Sequence, residues 1–194
     1  MPTLLEQAAW CAMPRRASTR QLLPSLRCHV DDLAADHGIV VDVSTTRRPR
    51  AERASPKYGR PARIVIRPIV GQVSYAIALH ELSHLLSRGN RSKNQLEREA
   101  DSWRWVLRES RVTLTPATCA RLRQQLKSYY ERAMLRAMLG RRGAKLPEPE
   151  SLYWQVMAEL GERAGITTVI GEEERAARLR LTEARTPHHQ TGQH

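Results

Sequence analysis

Cysteine is scarce: Cys11, Cys28 and Cys119 stand far apart and odd in number. With no CxxC pair, neither a disulfide framework nor a cysteine zinc knuckle is expected, and packed or free thiols in a reducing compartment are. No stretch approaches the roughly 20 apolar residues of a membrane-spanning helix, so no membrane partner is expected. The opening MPTLLEQAAWCAMPRR has an apolar patch but neither a preceding basic region nor a small-residue cleavage site. No export signal is read there, and the cytoplasm is the expected compartment. Internal repeats are missing, as is any helix-turn-helix, zinc-finger or aromatic-basic RNA motif.

Acidic residues are also in short supply, 20 against 32 lysines and arginines, for a net charge of +12. A pI near 10.6 invites a nucleic-acid partner. Most of the excess is arginine scattered along helical patterns, where it forms a solvated face, and no motif supports DNA contact. Hydrophobic residues make up 41% and charged residues 27%, with a mean hydropathy of −0.54. This is a soluble globular profile, and 194 residues suffice for one cored domain with an extension.

Short helical and strand patterns alternate along the first half. A helix over Thr3–Met13 is stopped by Pro14, and a second runs from a cap at Ser18 or Thr19 to His37-Gly38. The β-branched runs Ile39–Val43 and Arg63–Arg67 read as strands. Between them, Thr46–Ala62 is basic and rich in proline and glycine, and reads as a loop. Ser74 caps a helix reaching about Ser87, with Gly89 as its stop. Ser92 and Gln95 fit a capping box for a helix over Lys93–Glu109. Thr115-Pro116 opens a long helix to Gly140. After a charged linker, Arg141–Glu150, comes a weaker helix over Glu150–Ala164, and Gly171 can start another. The tail TPHHQTGQH has little to bury.

The densest chemistry lies in Tyr75–Leu107, YAIALHELSHLLSRGNRSKNQLEREADSWRWVL. Four residues apart on a helix, His80 and His84 lie one above the other and can reach a single Zn²⁺. Glu81, about 100° round from His80, flanks the pair and can take a proton from a zinc-held water. A catalytic zinc keeps three protein ligands and one open position. The next helix offers Glu97, Glu99 and Asp101. Glu97 and Asp101 share one face, so Glu97 is expected as the third ligand, with Asp101 behind it fixing a histidine tautomer. Glu99 is read as solvated and becomes the ligand if the helix phase differs. The remaining histidines, His29, His37, His188, His189 and His194, have no partner ligands in the pattern. Trp103 and Trp105 are read as core or groove cover, and neither Tyr58 nor Tyr75 is nominated as an oxyanion donor.

HELSHLL followed by LEREADSWRWVL resembles the ImmA/IrrE family of bacterial and phage metallopeptidases, over roughly residues 64–107. Its pattern is H-E-x-x-H with a later E-x-x-A-D/N helix. Ser83 stands where glycine is frequent, and Ser102–Trp105 replaces an aromatic-alanine run. The resemblance implies a zincin-like core, zinc on His80, His84 and Glu97, and Glu81 as the catalytic residue. It also implies a protein substrate, a helix-turn-helix repressor of transcription among the family's targets. The expected fold class is α+β, a small sheet packed on the H-E-x-x-H helix and the following Glu-bearing helix. The expected division is a metallopeptidase domain over 1–140, a helical extension over 141–185 and a disordered tail over 186–194. The competing reading is a non-catalytic basic DNA- or protein-binding module with a structural or degenerate metal site.

Overall fold

The computed structural model describes residues 19–86, 94–141 and 145–166. The sequence expectations for Thr3–Met13, Gly89, Ser92, the helix from Gly171 and the tail lie outside the described residues.

Among the described residues five helices accompany a three-stranded sheet, an α+β arrangement. In chain order these are α1 (Thr19–Asp36), β1 (Val40–Val43), β2 (Arg50–Glu52), a single 3₁₀ turn (Pro56–Tyr58), β3 (Arg63–Ile66), α2 (Gln72–Leu86), α3 (Gln95–Glu109), α4 (Pro116–Met138) and α5 (Leu152–Arg163). Gly38, at φ 63°, reverses the chain from α1 into β1, a left-handed conformation that favours glycine.

β3 is the central strand. It pairs parallel to β1, Val40 opposite Arg63 and Val43 opposite Ile66. On its other side it pairs antiparallel to β2, Arg50 opposite Val65 and Glu52 opposite Arg63. Ile64, Val65 and Ile66 are fully buried, as a short all-apolar strand requires. β2 corrects the expectation of an unbroken loop over Thr46–Ala62. Three residues, Arg-Ala-Glu, carry no apolar alternation, and their strand conformation comes from the pairing itself. Glu52 reinforces it by accepting from Arg63 Nε at 2.5 Å and Arg50 Nε at 2.6 Å.

α2 is apolar on nearly every side and runs through the middle of the molecule, burying Tyr75, Ala76, Ala78, Leu79, His80, Leu82 and Ser83. It begins two residues before the expected Ser74 cap. The Ser74 hydroxyl instead accepts from the amides of Val70 and Gly71 at 2.9 and 3.2 Å. Gln72 ties this end to the start of α4, accepting from the Thr115 amide at 2.8 Å and the Thr118 hydroxyl at 3.2 Å. α3 starts at Gln95, with Asn94 as its cap. α4 begins at Pro116 behind a Thr115 cap, as expected.

α5 packs on both α3 and α4. Its Tyr153, Trp154, Val156, Met157 and Leu160 belong to the same hydrophobic cluster as Leu79, Leu82 and Trp103. The boundary expected after residue 140 therefore separates no core of its own up to Arg163. No helix among the described residues is long and apolar enough to cross a membrane.

Candidate metal centre

Asn94 sets the phase of α3. Its side chain accepts from the Glu97 amide at 2.9 Å, which puts Glu97 in the first turn as the third helical residue. An acid there favours the helix start through the macrodipole and the exposed amides. The face turned inward is Leu96, Glu99, Ala100, Trp103 and Val106, spaced three and four apart. Glu99 is part of that stripe.

The carboxylate brought to the histidines is accordingly Glu99, not Glu97. Glu99 Oε2 lies 3.1 Å from His80 Nε2 and 3.7 Å from His84 Nε2. One ligand atom from each of the three residues falls within 4.8 Å of the others, so the group could hold a metal ion. The expectation of Glu97 is corrected by helix phase: from the first turn it faces about 200° away from Glu99. Pairing Glu97 with Asp101 identified a real face of the helix, but not the buried one.

The 3.1 Å approach is not an ion pair. Burial, with the neighbouring His84, drives His80 well below its ordinary value, so its imidazole is neutral. Burial likewise lifts Glu99 to about 7, against hydrogen bonding from Tyr129 and the charges of Arg98 and Arg132. His80 Nε2 and Glu99 Oε2 are both fully buried and neither has a hydrogen-bond partner. Two buried polar atoms without partners are costly in an apolar interior, and a shared cation would satisfy both. Two imidazole nitrogens and one carboxylate oxygen fit zinc well.

The ring of His80 lies flat on Trp103, centroids 4.1 Å apart and planes 4° from parallel. Ser83 donates to the His80 carbonyl at 2.7 Å. His84 is held differently: Ser102 Oγ is 3.1 Å from its Nδ1. A proton on Nδ1 shared with Ser102 leaves Nε2 with its lone pair toward Glu99. Asp101, of which a tautomer-fixing role was expected, lines a cleft with Leu86, Arg104, Trp105 and Arg108. The His84 side chain is 25% exposed against 3% for His80, so the cluster opens on the His84 side.

Glu81 stands beside the cluster under the sheet edge. Burial, then the nearby Glu99 charge, raises it to about 7, against a hydrogen bond from the Ala51 amide of β2. The overlooked strand thus touches the expected catalytic carboxylate. Tyr129 of α4 also reaches the site, with its hydroxyl on the Glu99 carboxyl and its pKa pushed to about 12 by burial and by Glu99 and Glu81. Nothing in its sequence context marks it, because only the packing of α4 across α3 brings it there. Tyr75 is committed elsewhere: its hydroxyl lies 2.6 Å from His29 Nδ1 and accepts from the Arg111 amide at 3.1 Å. His29, read as having no partner ligands, is engaged by this hydroxyl instead of a metal group.

Compared with family models, with curated proteins and with solved structures, the chain matches none.

Proposed function

We propose that this chain is a zinc metallopeptidase of zincin-like core, hydrolysing a peptide bond in a protein substrate, with His80, His84 and Glu99 holding the metal. The observation that carries this reading is the convergence of two neutral imidazoles and a buried carboxyl beside a second carboxyl, Glu81, with a side open to solvent. Zinc so held would acidify a water and polarise a scissile carbonyl.

The remaining chemistry belongs to the chain. Glu81, outside the ligand group, takes the proton of the attacking water and returns it to the leaving amine. A carboxyl near neutrality is well matched to both transfers, and a cation at the triad would favour the charged forms of Glu81 and Glu99. The Ala51 amide holds Glu81 in place. Ser102 and Trp103 fix the two imidazoles against rotation, so the ligands are set before metal arrives. A helix-turn-helix repressor as substrate follows from the ImmA/IrrE resemblance and belongs to the same proposal, as does a cytoplasmic location.

The test pairs metal analysis with proteolysis. Glu81→Gln should keep stoichiometric zinc and lose cleavage of a co-expressed protein substrate, while His80→Ala should lose both. Full cleavage by both variants would overturn the reading.

A further inference from the structure

The connection between β2 and β3 ends in a fixed tip. Ser55 and Arg60 pair across it: the Ser55 amide donates to the Arg60 carbonyl at 2.9 Å, and the Arg60 amide to the Ser55 carbonyl at 3.2 Å. Inside this bridge the 3₁₀ turn is closed by the Tyr58 amide on the Ser55 carbonyl and the Gly59 amide on the Pro56 carbonyl, both at 3.0 Å. Gly59, at φ 61°, takes the left-handed conformation that returns the chain, and Pro56 restricts the start of the turn. Tyr58 is thus presented by backbone hydrogen bonds rather than by packing, and it is 66% exposed. Two cations stand beside its ring, Lys57 Nζ 5.6 Å and the Arg60 guanidinium carbon 5.9 Å from the centroid.

The charge around the tip is largely uncompensated. Residues 44–67 hold eight of the 32 lysines and arginines and one of the 20 acids. That acid, Glu52, is taken up by Arg50 and Arg63. Among the described residues no carboxylate lies within ion-pair distance of Arg48, Arg53, Lys57 or Arg60, and all four are exposed. Arg27, Arg108 and Arg163 elsewhere in the chain each meet a carboxylate within 2.8 Å. Between residues 44 and 69, Tyr58 is the only large hydrophobic side chain that is exposed.

We propose that the β2–β3 tip binds single-stranded nucleic acid, Tyr58 stacking on an unpaired base while Lys57 and Arg60 meet the flanking phosphates. This surface is separate from the metal centre and does not depend on its chemistry. Every base has a face that an aromatic ring can stack on, and a single strand leaves that face free beside its phosphates. A duplex keeps its base faces inside the stack, where a ring on a hairpin tip meets none of them. An acidic protein would use the cations and leave the ring idle, and one tyrosine is too little apolar surface to enter a membrane. The strand pairing creates this juxtaposition: along the chain the same residues read as a basic loop.

The test uses the full-length protein and fluorescein-labelled dodecamers of thymidine and of uridine, followed by fluorescence anisotropy. Both strands should bind, with affinity falling as salt rises. Tyr58→Ala should weaken binding about fivefold or more, the lower end of what one stacked base contributes, and Tyr58→Phe should keep most of it. Lys57→Gln/Arg60→Gln should reduce the slope of log affinity against log salt by about 1.4, from about 0.7 for each phosphate contact on a single strand. Arg163→Gln, a control on α5, should change neither. A preference for one of the two strands shows that the sugar is read, and equal binding that it is not; either supports the proposal. Absence of binding, or binding that Tyr58→Ala leaves unchanged, overturns it. So does a duplex of the same length that binds as tightly as the single strands. Stronger displacement by a poly-glutamate peptide or by phosphatidylserine vesicles than by unlabelled thymidine strand also overturns it, in favour of an acidic protein or a membrane.

Discussion

Ser102 Oγ lies 3.1 Å from Nδ1 of His84, and Ser102 is completely buried. In the tautomer that carries its proton on Nδ1, the hydroxyl accepts that proton and Nε2 is left to serve as the proposed ligand nitrogen. Ser102→Ala should therefore weaken zinc binding by about tenfold, at the lower end of what such supporting contacts contribute. Competition with a chromophoric chelator measures it. Unchanged affinity would mean the hydroxyl only fills space.

Glu99 and Glu97 are separated by two residues and by nearly half a turn, so the same substitution should give opposite results. Glu99→Gln should abolish stoichiometric zinc while the protein remains folded, since it removes the charge and keeps the shape. Glu97→Gln should keep the zinc and cost about 0.3–1 kcal/mol, the value of an acid at a helix start. Metal content by mass spectrometry and urea denaturation distinguish them. Zinc lost with Glu97 and kept without Glu99 would restore the sequence assignment.

Most of the site could be read along the chain, because a helix converts spacing into geometry. His80, Glu81 and His84 needed only the 3.6-residue turn, and Pro116 and Gly38 announced their helix ends. Glu99 was legible too: Leu96, Ala100, Trp103 and Val106 mark the buried face, and Glu99 falls inside that stripe. A carboxyl on an apolar face argues against itself unless the face is known to meet two histidines, which is why the Glu97–Asp101 pair looked the better choice. Tyr129, Ser102 and β2 had no local signature. Their roles come from α4 crossing α3, from α3 meeting α2, and from β3 recruiting three polar residues as its partner.

α5 was expected as an extension outside the metallopeptidase domain. Leu160 and Met157 are buried against the helices that carry Glu99 and Tyr129. Leu160→Ala should thus destabilise the protein by about 2–4 kcal/mol, and do so for the whole cored unit. Tryptophan fluorescence, reporting on Trp103 and Trp154, and far-ultraviolet circular dichroism should shift together in urea. Two separated transitions, with only the later one unaffected by the substitution, would show that α5 folds apart.

His29 gives the fold a dependence on pH that does not pass through the metal ligands. Its Nδ1 lies 2.6 Å from the Tyr75 hydroxyl, which also accepts from the Arg111 amide; a neutral ring lets Nδ1 accept the hydroxyl proton. Burial first, then the Arg111 charge, holds His29 below its ordinary value of 6.5, against the pull of Asp32 and Glu109. A histidine depressed in the folded state binds fewer protons than in the unfolded chain, so stability is full above about 6.5 and is lost as pH falls through the folded value. His80 and His84 are shifted the same way and act in the same sense. Glu81 and Glu99, raised to about 7, act in the opposite sense, so the histidines lend the urea midpoint of the metal-free protein a downward slope from pH 7.5 to pH 5 that the two carboxyls offset. His29→Gln should flatten part of that slope, and Tyr75→Phe should cost about 1–3 kcal/mol at pH 7.5 by leaving buried polar groups without a partner. A difference in midpoint between wild type and His29→Gln that does not change from pH 7.5 to pH 5 would show that the His29–Tyr75 contact carries none of this linkage.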